Sequence, residues 1–167
     1  MEDWQNNAGG RPPKYGQSGR KKARLPRIPS ELTCRPSLAS MRQMSAEDLA
    51  AVRDFTIIRR GFGSVSFNVP GHELTDVRGL DLKKGDGALV WEGEAGSCTA
   101  VHLFPDSAAH HKPPVGHGIN KAATITLAFR PGLDPLKLRM ALAQQPGVSF
   151  QSYDIETGAV TFVVDHL

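Results

Sequence analysis

The sequence predicts an α+β, mainly β fold: a β-sandwich or half-open barrel of about six to eight strands with short helices at its ends. Two observations predict it. Between Phe55 and Val164, short β-branched or alternating runs recur, and most are closed by Gly or Pro. Helical patterning is confined to one stretch before Phe55 and one near residues 135–145. A length of 167 residues, 40% hydrophobic and 22% charged, suits a single core plus a tail.

The elements follow in order. Residues 1–35 are rich in Gly, Pro, Asn, Arg and Lys and read as a disordered or partner-draped arm, with residues 36–167 as the domain. Ser37 can cap a short helix carrying Leu38, Met41 and Met44. Ser45-Ala-Glu-Asp48 resembles a capping box, with Asp in place of Glu or Gln, for a turn carrying Leu49 and Val52. One bent helix and two separate ones fit equally well. Phe55–Arg59 is a β-branched strand broken by Gly61-Phe-Gly63, and Ser64–Val69 alternates up to Pro70-Gly71. Residues 87–91 and Thr99–Phe104 are further strands across a Gly-rich loop, and residues 110–118 are loop. Ala123–Phe129 is a strong strand, and Pro135–Gln145 is helical. Val148–Tyr153 and Ala159–Val164 form a hairpin over the five-residue connection Asp154–Gly158.

Composition limits the function. No run approaches the ~18 apolar residues of a membrane span, and Met1-Glu-Asp-Trp4 lacks the order of a secretory signal. Two cysteines, Cys34 in the arm and Cys98 in a loop, argue for reduced thiols in an intracellular compartment. Residues 1–35 hold eight Lys or Arg against three acids, a balance of +5, whereas residues 36–167 hold twelve against fourteen, a balance of −2. The basic character therefore belongs to the arm. Arg20-Lys21-Lys22-Ala-Arg24 fits an import signal, a polyanion contact or a solvated linker. Weak, salt-sensitive RNA binding through residues 11–27 is the most that such an arm supports.

Several motifs carry no chemistry. Gly61-Phe-Gly-Ser-Val65 resembles half a kinase glycine loop, but the Lys-bearing strand, catalytic loop and Asp-Phe-Gly are missing. His102, His110, His111 and His117 match no zinc spacing, and Gly116–Lys121 is no phosphate loop. No serine sits in a nucleophile elbow, and no metal or cofactor is expected. The unusual place is the end, where Thr161-Phe-Val-Val164 runs straight into Asp165-His166-Leu167. Either the gene or clone stops there, or Leu167 is the new end left by cleavage.

Four segments resemble one family, the nucleoporin 98-type autoproteolytic, pore-targeting domain. Met44–Val65 is similar to its helix leading into an Asn/Asp-Phe-Thr-Val strand and Gly-aromatic-Gly turn, and Leu74–Leu82 to its Leu-Thr-Gly-Leu-Asn-Leu region. Lys112-Pro-Pro-Val-Gly-His-Gly-Ile-Asn120 with the following strand is similar to its most specific string, Lys-Pro-Pro-Val-Gly-Glu-Gly-Leu-Asn. Phe150–Leu167 resembles its closing hairpin, which ends in His-Phe before the cleaved bond and Ser or Thr. The resemblance spans residues 28–167.

It implies a nuclear pore anchoring module that cuts its own chain once, after Leu167, in support of protein and mRNA transport. His166 would be the general base, Asn120 the oxyanion stabiliser and Lys121 a weaker one. Implied partners are other nucleoporins, including a β-propeller type and the released downstream fragment. Leu167 stands for the usual Phe, Val160 for a frequent Trp, and His117 for an acid. Lys121-Ala122 also departs from the commoner pair, and no Phe-Gly repeats are present. A non-cleaving member that only binds is the alternative.

Overall fold

The computed structural model describes residues 23–82 and 89–167. Eight strands are present among the described residues: β1 Leu32–Arg35, β2 Phe55–Arg59, β3 Gly63–Phe67, β4 Leu89–Glu94, β5 Ser97–Leu103, β6 Ala123–Ala128, β7 Val148–Tyr153 and β8 Ala159–Val164. Six of them form one antiparallel sheet in the order β1-β2-β3-β6-β8-β7, and β4-β5 stands apart as a two-stranded sheet. The fold is mainly β, and among the described residues the sheet does not close into a barrel.

Alternation in the sequence becomes the two faces of the large sheet. Ile57, Val65, Ile125 and Phe162 are register partners along one row and all are buried. Phe55, Phe67, Leu127, Val160 and Val164 extend that apolar face. Between them, Thr33, Ile58, Ser64, Thr126, Thr161 and Ser152 make an unbroken row on the opposite face. Hydroxyls pair there across strands, Thr56 with Ser66 and Thr126 with Thr161, each at 3.0 Å. A hydroxyl face can stay solvated, so one covered face suffices for stability.

Cover for the apolar face comes from outside the sheet. Met41, Leu49, Leu74, Val77, Leu82 and Trp91 belong to the same core. The β4-β5 hairpin is tied to the β2-β3 turn by Gly96 N–H donating to the Gly61 carbonyl at 2.6 Å. Arg59 Nη1 donates to the Trp91 carbonyl at 3.2 Å while its guanidinium lies 4.0 Å from the Phe62 ring centroid.

Two separate helices precede β2. In α1 (Leu38–Met41) the Ser37 hydroxyl accepts from Ser40 N–H. In α2 (Ala46–Ala50) Ser45 and Asp48 complete the capping box in both directions. Ser45→Ala is expected to cost about 1 kcal/mol, read as a lower urea midpoint at unchanged slope. The third helix, α3 (Pro135–Ala143), starts on the Asp134 cap and sets Leu138 and Leu142 against the core.

Three expectations need correction. The arm expected over residues 1–35 is shorter: Leu32–Arg35 is the edge strand β1, and Leu32 and Cys34 are buried. Ala23, Leu25 and Ile28 also pack against the core. Most of the basic run, Arg20 to Lys22, lies outside the described residues. Cys98, expected in a loop, is fully buried in β5, because a tight turn at Ala95-Gly96 replaces the longer Gly-rich loop. Within 110–118, expected as loop throughout, His110 and His111 close a 3-10 helix, Asp106–His111.

The β7-β8 connection is built as expected. Asp154 accepts from the N–H groups of Glu156 and Thr157, at 2.9 and 3.2 Å. The hydrogen bonds from Thr157, followed by that from the Glu156 backbone, hold its carboxyl below the ordinary aspartate value. A depressed native value means stability that is complete above the unfolded aspartate value and is lost as pH falls through the native one. A carboxyl titration followed by NMR is therefore expected to place Asp154 below free aspartate. Asp154→Asn should remove that part of the acid sensitivity.

Candidate functional site

The end of the chain is held on three sides. β8 is paired with β6 on one side and β7 on the other, and Val164 is the register partner of both Ala123 and Val148. One residue on, Asp165 N–H donates to the Gly147 carbonyl at 2.9 Å. Leu167 is 3% exposed and belongs to the core cluster. His166 stands between these two anchors and is exposed. Strand pairing on one side and the buried Leu167 on the other thus fix the backbone around the exposed His166.

Asn120 is the hub of the loop before β6. It is 1% exposed. Its Nδ2 donates to the Pro113 carbonyl at 2.7 Å, its carbonyl accepts from Gly116 N–H at 2.7 Å, and its N–H donates to the His117 carbonyl at 3.0 Å. One amide N–H is thereby engaged, and Oδ1 is buried without a partner. Lys121 Nζ donates to the carbonyl of Glu73 at 3.2 Å, a residue 48 positions away. No hydrogen bond joins His166 to Asn120 or Lys121 among the described residues.

Register, not sequence distance, brings these groups to one end. β6 begins at Ala123, opposite the last residue of β8, and the two strands are antiparallel. The Asn120-Lys121-Ala122 turn and the Asp165-His166-Leu167 end therefore leave the same end of the β6-β8 pair. Neither cysteine competes as a nucleophile. Burial pushes both the Cys34 and Cys98 thiols up, which disfavours the reactive thiolate. His102 Nε2 lies 3.1 Å from the Glu92 carboxylate on the β4-β5 hairpin, and the His110 and His111 rings, tilted at 49°, have centroids 3.9 Å apart in the 3-10 helix.

Sequence reasoning did not foresee an apolar groove of about 500 Å³ between β5, the β6-β8 pair and α3. Val101, Leu127, Leu138, Leu142 and Phe162 are among the residues lining it. The spacing of Leu138 and Leu142 was the available signal for one wall. The opposite wall depends on where the separate hairpin docks.

Comparison with known proteins gives a consistent picture. Residues 29–167 match the family model Nucleoporin2: Nup98-96 autopeptidase S59. Nucleoporin NUP145 of Chaetomium thermophilum is 33% identical over 139 residues, covering 78% of this chain and 7% of that protein. Nuclear pore complex protein NUP98A of Arabidopsis thaliana is 34% identical over 130 residues, 69% of this chain and 11% of that protein. The chain thus spans a small fraction of the relatives it matches. Among solved structures, a Chaetomium thermophilum Nup145N APD mutant fused to Nup145C N aligns with TM-score 0.55 and 26% identity, over 81% of this chain and 93% of that one. A chain of the yeast heterotrimeric Nup82-Nup159-Nup116 nucleoporin complex shares the fold, with TM-score 0.58 at 22% identity over 83% of this chain and 98% of that one. These relatives are nuclear pore nucleoporins, and the location of this chain is the nuclear pore complex. The chain belongs to the Nup98-96 autopeptidase S59 family of nucleoporins.

Proposed function

We propose that this domain severs its own precursor after Leu167 and then serves as an anchoring module in the nuclear pore. A Ser or Thr hydroxyl on the residue after Leu167 attacks the Leu167 carbonyl carbon, and His166 takes the hydroxyl proton. Asn120 supplies its remaining amide N–H to the developing oxyanion, with Lys121 a secondary donor. The C–N bond breaks, His166 returns the proton to the leaving amine, and Leu167 is left as an ester. Water then hydrolyses that ester, restoring the hydroxyl and leaving a carboxylate on Leu167. The turnover happens once.

The observation that carries this reading is the anchoring of the chain end: Leu167 buried, β8 paired on both sides and His166 exposed between. Such fixation supplies the orientation that an intramolecular attack needs. The test is a chain extended past Leu167 by Ser and a folded reporter, followed by intact mass. Two fragments that separate after Leu167 are expected, and a precursor that stays whole over days would reject self-cleavage.

The apolar groove supports the binding half of the proposal. Its partners are other nucleoporins, of the β-propeller type or the released downstream fragment, docking an extended apolar segment there. Leu142→Asp puts a charge in the groove wall while α3 stays solvated on its other side. Its expected effect is a loss of at least tenfold in affinity for such a partner, about 1.4 kcal/mol, measured by calorimetry. Unchanged affinity would move the docking surface elsewhere.

A further inference from the structure

Residues 23–28 lie upstream of the family match, which starts at residue 29, yet they are built into the fold. Gly79 N–H donates to the Arg24 carbonyl at 2.7 Å, Arg27 N–H to the Leu80 carbonyl at 2.7 Å, and Leu82 N–H to the Arg27 carbonyl at 3.0 Å. Arg27 and Asp81 form a parallel bridge, with Arg27 Nη1 3.6 Å from the Asp81 carboxylate. On the other side, Ala23 and Leu25 line an apolar recess with Met41, Met44 and Leu49. A short segment is thus strapped across residues 79–82 and anchored at its upstream end by apolar contact.

What the strap holds matters more than the strap. Leu74, Val77 and Leu82 are buried, and Val77 N–H donates to the Leu49 carbonyl at 3.3 Å. The same stretch begins at Glu73, whose carbonyl takes the Lys121 ammonium. Gly79, Leu80 and Asp81 also share a cleft of about 240 Å³ with Pro113, Gly118 and Ile119, in the loop that Asn120 organises. Residues 73–82 therefore lie between the strap and the loop bearing the candidate site. A backbone stretch bridged on both sides opens less often than one held on one side.

We infer that residues 24–28 are a positioning strap: by fixing residues 77–82 they fix the Glu73 carbonyl, and through Lys121 the orientation of the Asn120 loop. The part of this inference that concerns cleavage rests on the self-processing reading. The strap touches no reacting atom. Its contribution is to keep the loop in one arrangement while the chain end reacts.

The test has two arms and three variants. Arg27→Pro removes the N–H donor and the charge, Leu25→Ser removes the apolar anchor, and Arg27→Lys keeps the N–H donor and the charge. In the 167-residue chain, amide hydrogen exchange at Gly79 and Leu82 is expected to rise roughly tenfold or more in the first two variants. The amides of Gly116 and Asn120 should follow, those of β8 should not, and Arg27→Lys should match the parent. Faster exchange at Gly79 and Leu82 with Gly116 and Asn120 unchanged would overturn the coupling. In the chain extended past Leu167, the first two variants should cleave about tenfold more slowly at a temperature where the melt shows them folded. Cleavage at the parent rate with a loosened strap would also overturn it. If the extended parent never cleaves, the self-processing reading fails by itself, and the exchange arm alone decides the strap.

Discussion

In a chain that continues past Leu167 into Ser or Thr, His166→Ala is expected to leave the precursor uncut on the time scale at which the parent is fully processed. The expected loss is about 10²–10⁴-fold, the usual worth of a positioned general base. Folding should hardly change. His166 is exposed and the adjacent fixation is made by others, namely Asp165 through its backbone and Leu167 through its buried side chain. A surface substitution of this kind shifts stability by about 0.5 kcal/mol or less. Intact mass against time gives the rate, and a thermal melt of the uncut variant gives the stability. The comparison variant is Leu167→Asp, which puts a carboxylate into the core and is expected to lose both cleavage and fold. Undiminished cleavage by a folded His166→Ala chain would remove the imidazole from the reaction and leave Asn120 and the fixed chain end to account for it.

Much of this arrangement was legible because local signals and tertiary outcome agree. Ala123-Thr-Ile-Thr-Leu127 alternates, and its apolar positions are the buried ones. Ser45 and Asp48 sit at capping distance and form the reciprocal bonds. Asp154–Gly158 has turn chemistry and makes the turn. Other features depend on contacts that no window of sequence contains. Leu32–Arg35 is only four residues long between Pro29 and Pro36, and it becomes a strand because β2 offers an edge. The six-and-two division of the strands follows from register, which alternation does not specify. Asn120 was legible as a motif position, but its burial and its bond to Pro113 belong to the folded loop. Lys121 finds its partner at Glu73, and the strap of residues 24–28 finds residues 79–82; both are long-range pairings.

The second large effect is structural and falls on Gly63. This residue opens β3 with φ +147°, a conformation that L side chains rarely adopt, and pairs in register with Arg59 and with Leu127. A Cβ placed on it would run into the carbonyl oxygen of Thr126 and press on the Leu127 backbone at 3.0 Å. Backbone, unlike the end of a flexible side chain, has nowhere to retreat, so β3 and β6 would have to part. That pairing is central: among the described residues, β1 and β2 reach the rest of the sheet only through β3, while β7 and β8 reach it only through β6. Gly63→Val adds a β-branched side chain to the collision and is expected to cost about 4 kcal/mol or more, within the exceptional class of single substitutions. Against a typical domain stability of about 5–15 kcal/mol, the variant should be largely unfolded in mild urea. Gly71→Ala is the control, since Gly71 also has positive φ, at +81°, but no described atom beyond its chain neighbours lies within 4 Å of its added Cβ. Its cost should be limited to backbone strain of about 1–2 kcal/mol. A urea series on both variants separates collision from strain. Equal losses would mean that the approach of Thr126 to Gly63 is not what joins the halves of the sheet.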